Sequence, residues 1–197
     1  MLLVELTSTP SEDLPLDAFK SHLKLGRGFE DDGLQDEVLE SYIRASLAAI
    51  EARTGKVLLA RRVSWTLTRW ADPCNQALPV APVSEIHAIS VTDRNGTESE
   101  VAAESYRLQR DTHRPRVVAI SSLPVIPETG SATLTFEAGF GLSWSDVPSD
   151  MREAAFLLAA HYYEHRRDTS GAAGLMPFGV MGLLEPHRNI RLLGGRV

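Results

Sequence analysis

One stretch, Ala132 to Asp168, constrains the fold more than any other, because a period of two gives way there to a period of 3.6. Ala132, Leu134, Phe136 and Ala138 alternate with Thr133, Thr135 and Glu137, the pattern of a strand with one buried and one wet face. Gly139 and Gly141 release the chain from the sheet. Asp146 is placed to cap a helix, and Pro148 suits its first turn, where the backbone has no intrahelical acceptor to lose. Met151, Ala155, Leu158 and Tyr162 then recur on one side, and the alanines at 154, 155, 159 and 160 allow another helix to approach closely. A chain holding both halves needs a half-buried sheet and a partner for the helix. The expected class is therefore α+β, a helical bundle core with an inserted small antiparallel β-sheet region.

The flanking sequence supplies the partners. Leu16, Phe19 and Leu23 line one side of a short helix that Gly26 and Gly28 end. A second helix has Asp32 as its expected cap, Gln35 three residues on, Leu39, Ile43, Leu47 and Ile50 at helical spacing, and Gly55 at its left-handed stop. Val63, Trp65 and Leu67 alternate with Ser64, Thr66 and Thr68 in a strand. Further strands are expected at Ile86 to Thr92, Tyr106 to Arg110, Val117 to Ile120 and Ala132 to Ala138, with a tight turn at Asn95-Gly96. Phe178, Met181, Leu183 and Leu184 form a short apolar helix stopped at Pro186. The chain thus divides into an N-terminal helical part at 1–56, a β-rich insertion at 57–141, a C-terminal helical part at 142–186 that packs with the N-terminal helices, and an extended tail at 187–197. That tail carries Arg188, Arg191 and Arg196 without an acid, and is too short to bury Ile190, Leu192 and Leu193 alone. Either disorder or docking on another protein accounts for it.

Composition narrows the function. With 197 residues and 43% hydrophobic content the chain can bury a substantial core, while the run Ala154 to Ala160 falls far short of the roughly 20 residues a membrane span needs. Glu5 follows Met1-Leu2-Leu3-Val4 with no basic stretch before it, so neither export nor anchoring is expected. The single cysteine, Cys74, can form no internal disulfide, which favours an intracellular origin. Net charge is -6, and 11 acids face 6 bases in Met1 to Lys56 against 5 and 6 in Pro148 to Val197. That balance points away from tight general DNA binding, which draws on a basic face to displace counterions.

Catalytic motifs are few. His161-Tyr162-Tyr163-Glu164-His165 matches the H-x-x-E-H pattern of inverted zinc peptidases, in which His161 and His165 share a helix face and Glu164 activates a zinc-bound water. A third ligand and a paired downstream acid are missing, Glu185 standing alone before Pro186. Gly139-Phe140-Gly141 lacks the third glycine and the Lys-Ser/Thr pair of a phosphate loop. No G-x-S-x-G elbow occurs, and Cys74 lies in a Pro-Cys-Asn turn without a histidine near it in sequence. Trp65, Trp70 and Trp144, with Arg61, Arg62 and Arg69, could make a stacking platform for single-stranded nucleic acid; burial on one strand face accounts for them more simply.

Four segments in order, ARTGK (Ala52 to Lys56), LPVAPVSEI (Leu78 to Ile86), the Ala132–Asp168 stretch and LMPFGVMGLLEPHR (Leu175 to Arg188), resemble the head-tail connector, or adaptor, proteins of long-tailed phages, prophages and phage-like gene transfer agents. The resemblance runs from about Leu16 to Leu192. It implies a non-enzymatic structural protein without cofactor, built from helices with a β-rich insertion and assembled as a ring of about a dozen copies between portal and tail. The implied partners are further copies of the chain, the portal protein, a tail-completion or stopper protein, and DNA as transiting cargo read without sequence recognition; no membrane is involved. Its implied place is the head-tail interface of a virion or phage-like particle assembled in the bacterial cytoplasm. The two long helices, Asp32 to Thr54 and Pro148 to Arg167, are expected to form the central bundle and much of the lateral contact. The resemblance implies that the tail reaches the portal, through Arg188, Ile190, Arg191, Leu192 and Leu193. The frontal acids Asp31, Asp32 and Asp36 are candidates for the wall of the DNA channel, where repulsion of phosphate lets a duplex slide. Two other classes remain: a zinc-dependent hydrolase using His161, Glu164 and His165, and a non-viral interaction module.

Overall fold

A computed structural model of the chain describes residues 2–24, 35–166 and 176–188. Its class is α+β, in the order β1 (Leu2–Glu5), α1 (Leu16–His22), α2 (Asp36–Thr54), β2 (Arg61–Leu67), β3 (Asn75–Ala77), β4 (Val83–Thr92), β5 (Glu98–Glu100), β6 (Tyr106–Gln109), β7 (Arg116–Ala119), β8 (Ser131–Ala138), α3 (Ser149–Glu164) and α4 (Phe178–Leu184). The chain forms two compact units, one of Met1–Thr9 with Leu59–Leu142 and one of Pro10–Leu58 with Ser143–Val197. Among the described residues the strands belong to the first unit and the four α-helices to the second.

The sheet unit is two antiparallel sheets, ordered β1-β2-β8-β4-β5 and β3-β7-β6. β8 lies in the middle of the larger one because its alternate residues Ala132, Leu134, Phe136 and Ala138 are all fully buried. The register sets Leu134 between Trp65 and Ile89 and Phe136 between Val63 and Ile86, so the apolar residues of three strands share a face. Each such large side chain contributes about 1.5–3 kcal/mol by leaving water. At the turn between β4 and β5, Gly96 takes a φ of 83° and Asp93 accepts bonds from the backbone N–H of Asn95 (2.8 Å) and Thr97 (2.9 Å). The bond with Thr97 is the main reason that carboxyl titrates below its usual range. β1, β3 and β5 escape the sequence pattern, being short or lacking alternation, whereas β6 and β7 fall where strands were expected but form, with β3, a second sheet instead of joining a single one.

Gly139 ends β8 at a φ of 137°. A Cβ there would lie 2.5 Å from Ala60 N and 2.8 Å from Leu59 C, so only glycine lets the two backbones pass. Beside it Ala60 N–H donates to Gly141 O at 2.8 Å.

In the helical unit, α2 buries Leu39, Ile43, Leu47 and Ile50 at the expected spacing and packs on Met151, Ala154, Ala155, Leu158 and Ala159 of α3. α2 stops at Gly55, whose φ is 68° and whose N–H donates to Glu51 O. Its expected cap, Asp32, lies outside the described residues; the helix starts behind Gln35, which makes no side-chain cap. Asp146 does not cap α3. It closes the 3-10 turn Trp144–Asp146 by accepting from Ser143 N–H at 3.0 Å, because extended Val147 separates it from the helix, and Pro148 takes the N-cap position. Phe19, Trp144 and Phe156 meet in an aromatic cluster, with centroids 5.8 Å and 5.4 Å from Phe156. α4 packs on α3 through Val180 and Leu184, one turn apart. Phe178 is 86% exposed, since the two-residue step from it to Val180 turns its side chain to the opposite side of the helix. No helix among the described residues is long and apolar enough to cross a membrane.

Candidate assembly interface

The H-x-x-E-H segment closes α3. His161 and His165 stack with ring centroids 4.3 Å apart, and the Nδ1–H of His165 donates to His161 O at 3.0 Å. Arg166 donates to Tyr163 O at 2.6 Å and lies over the Tyr163 ring. The Arg166 guanidinium thus satisfies one carbonyl of the helix end, and the His165 imidazole adds a second bond to His161 O, which already accepts the His165 N–H; a cation there also opposes the helix dipole. Glu164 is exposed, and the buried Nε2 of His161 has no hydrogen-bond partner. Among the described residues no group of three or more His, Cys, Asp or Glu is placed to hold a metal ion. Among those residues the pair finds no third ligand of the kind zinc chemistry requires.

The tryptophans do not form one platform. Trp65 is 4% exposed within the larger sheet, Trp70 donates its indole N–H to Pro124 O at 2.7 Å, and Trp144 belongs to the helical unit against Phe156. Trp65 has no open face on which a base could stack.

Of the expected channel acids, Asp36 is described, and it pairs with Lys20 at 2.7 Å. Asp31 and Asp32 lie outside the described residues. Of the expected portal residues, Arg188 is described; it is exposed and donates to both carboxylate oxygens of Glu185 at 3.0 and 3.1 Å. Ile190, Arg191, Leu192 and Leu193 lie outside. The residue before Arg188 is firmly held: His187 Nε2 meets Asp150 Oδ2 at 2.6 Å, tying the turn after α4 to the first turn of α3. Burial by itself would raise the Asp150 carboxyl, but the hydrogen bond and charge of His187, with the Met151 N–H, outweigh it and hold it below the usual range.

Sequence reasoning passed over the edge of the larger sheet. Leu2, Leu3, Val4 and Leu6 are 41–60% exposed, although β1 is fully paired to β2 on its inner side. Leu3 lies opposite Trp65, on the core face. Leu2 and Val4 lie opposite Thr66 and Ser64, on the polar face. Leu6 continues that second row, its N–H donating to Arg62 O at 2.8 Å. The signal was the Leu-Leu-Val run itself, which is hard to read as a strand because it is apolar on both faces. In the same unit an open hollow of about 320 Å³ is lined by Ser84, Glu85 and Ile86 of β4, by Tyr106, Arg107 and Leu108 of β6, and by Ala103 and Arg110. Burial, and then the charge of Glu100, raise the Tyr106 phenol above its ordinary range.

No protein-family model and no curated protein matches the chain. Solved structures do. A chain from the neck of an empty GTA particle, computed with C6 symmetry, is 49% identical over 100% of both chains with a TM-score of 0.90. A chain from the virion of a native gene transfer agent (GTA) particle is 48% identical over 99% of both, with a TM-score of 0.87. A third, from the neck of a native GTA particle computed with C12 symmetry, is 45% identical over 100% of both, with a TM-score of 0.84.

Proposed function

Since the chain belongs to the family of gene transfer agent neck proteins, we propose that it is the adaptor of a phage-like particle, a structural subunit joining copies of itself into a ring between portal and tail. The observation that carries this is identity of 45–49% along the whole chain to particle chains, with no insertion or loss of a domain. Necks computed with C6 and C12 symmetry support a cyclic assembly of about a dozen copies, in which one side of each subunit meets the opposite side of the next. DNA passes through the ring as cargo, and a stopper or tail-completion protein meets its far side. The task is geometric, and no residue is assigned a catalytic role.

In this reading the tail grips the portal. Arg188 follows a turn that His187 and Asp150 fasten to α3, so a segment carrying Ile190, Arg191, Leu192 and Leu193 starts from a fixed point. Such a segment gains less entropy by dangling and loses less by docking. Asp31 and Asp32 face the DNA channel. Asp36 contributes less there, because Lys20 offsets its charge.

Removing Asn189 to Val197 tests the tail assignment. The shortened subunit is expected to keep the circular dichroism and thermal midpoint of the full chain while losing retention on portal-bearing heads. Unchanged retention would overturn the assignment. Particles that joined heads to tails normally without the chain would overturn the adaptor reading itself.

A further inference from the structure

β1 is an open strand edge with apolar side chains on both faces, a feature that soluble proteins ordinarily suppress because it templates pairing with another chain. Leu6 N–H bonds inward to Arg62, and the alternation of an antiparallel ladder then makes Val4 and Leu2 the other inward-bonded residues. The N–H and C=O of Leu3 and Glu5 consequently point away from the sheet. Glu5 is the one charged residue on this edge, and Arg61 neutralises it at 2.7 Å. Lysine, proline and bulges, the usual guards, are missing from Leu2–Leu6.

The occupant follows from cyclic symmetry. Two β1 strands pairing with each other would make a two-fold contact, which closes at a dimer, so a β1 seam in a larger ring has to join it to a different surface of the next copy. The open edges of this unit are unequal. β5 has three exposed residues, two of them glutamates. β3 is equally short, and the turn before it is closed on itself by bonds from Cys74 and Asn75 N–H to Asp72 and from Ala71 N–H to Gln76. β6 matches β1 at four residues and has half-buried Tyr106 and Leu108 beside the hollow. Across that hollow the Ser84–Ile86 stretch of β4 is also an open edge, since β5 covers only Ser90–Thr92. The hollow of about 320 Å³ offers Ile86, Ala103, Tyr106 and Leu108 to apolar side chains, with Glu85, Arg107 and Arg110 around them.

We propose that the outer edge of β1 is a seam between copies: it pairs with the β6 edge of the neighbouring subunit and seats its leucines in the hollow there. This rests on the ring reading above and names the surface that closes the ring. The helix pair has already turned its apolar stripe inward, α2 against α3, whereas β1 has not.

The test uses particles from cells whose only copy of the chain carries Cys74→Ser, Leu2→Cys and Arg107→Cys. Treatment with a short bis-maleimide is expected to give a ladder of covalent multimers on a denaturing gel. Necks that assemble and yield only monomer would overturn the seam. In parallel, Leu2→Asp/Val4→Asp subunits, altered only at exposed positions, are expected to keep the wild-type thermal midpoint and be lost from rings. Wild-type rings from them would overturn it equally, and should the double variant misfold, the cross-link alone decides. Absence of the unaltered chain from necks is a different result, and it would remove the ring reading as a whole.

Discussion

Gly139 has two independent reasons to be glycine: a φ of 137°, which side chains disfavour, and a backbone crossing at Leu59 and Ala60 that leaves no room for Cβ. Backbone strain of this kind costs about 1–3 kcal/mol before any steric overlap is counted. Gly139→Ala is therefore expected to lower unfolding free energy by at least about 2 kcal/mol in a urea titration. Gly55→Ala, at a φ of 68° with open space around it, is expected to cost only about 1 kcal/mol. Equal losses at the two sites would refute the close-approach argument. From sequence Gly139 and Gly141 read simply as strand terminators, because a crossing partner far away in the chain leaves no local trace.

Among the elements, the bond between His187 and Asp150 joins the turn after α4 to α3, and its pH response has a definite sign. The Asp150 carboxyl is held below its unfolded value, so its contribution is complete above the unfolded pKa of about 3.9 and disappears as pH falls through the lower folded value. Asp150→Asn is expected to narrow the difference between thermal midpoints measured at pH 6 and pH 3. An unaltered difference would show that the bond carries no net stability. Legibility followed length and periodicity. α2, α3, β2 and β8 were readable because three or more buried residues in each repeat at the period of the element. α4 was readable as a helix, but its buried face was not, since seven residues fit several stripes. β1 was missed because Leu2, Leu3 and Val4 are apolar on both faces and so show no alternation. The H-x-x-E-H spacing was legible, yet a helix end that requires hydrogen-bond donors produces the same letters.

For the whole molecule, a net charge of -6 sets the behaviour of the free subunit toward nucleic acid. Binding to duplex DNA at physiological salt is expected to be no tighter than about 10⁻⁴ M, the weak end of non-specific association, by fluorescence anisotropy. Tight, salt-sensitive binding would mean that a basic surface meets the cargo, and the acid-lined channel would have to be abandoned. As a member of the family of gene transfer agent neck proteins, the chain carries its open strand edge on one of two units that interrupt one another in sequence. That interruption governs the order of events at the ribosome. The last strand of the sheet unit, β8, is the one that bridges β2 and β4, so the larger sheet can close as soon as it emerges. α2, made much earlier, must keep its row of leucines and isoleucines uncovered until α3 follows. The nascent chain therefore carries an adhesive helix throughout synthesis of the strands, and a crowded cell has to shield it for that interval.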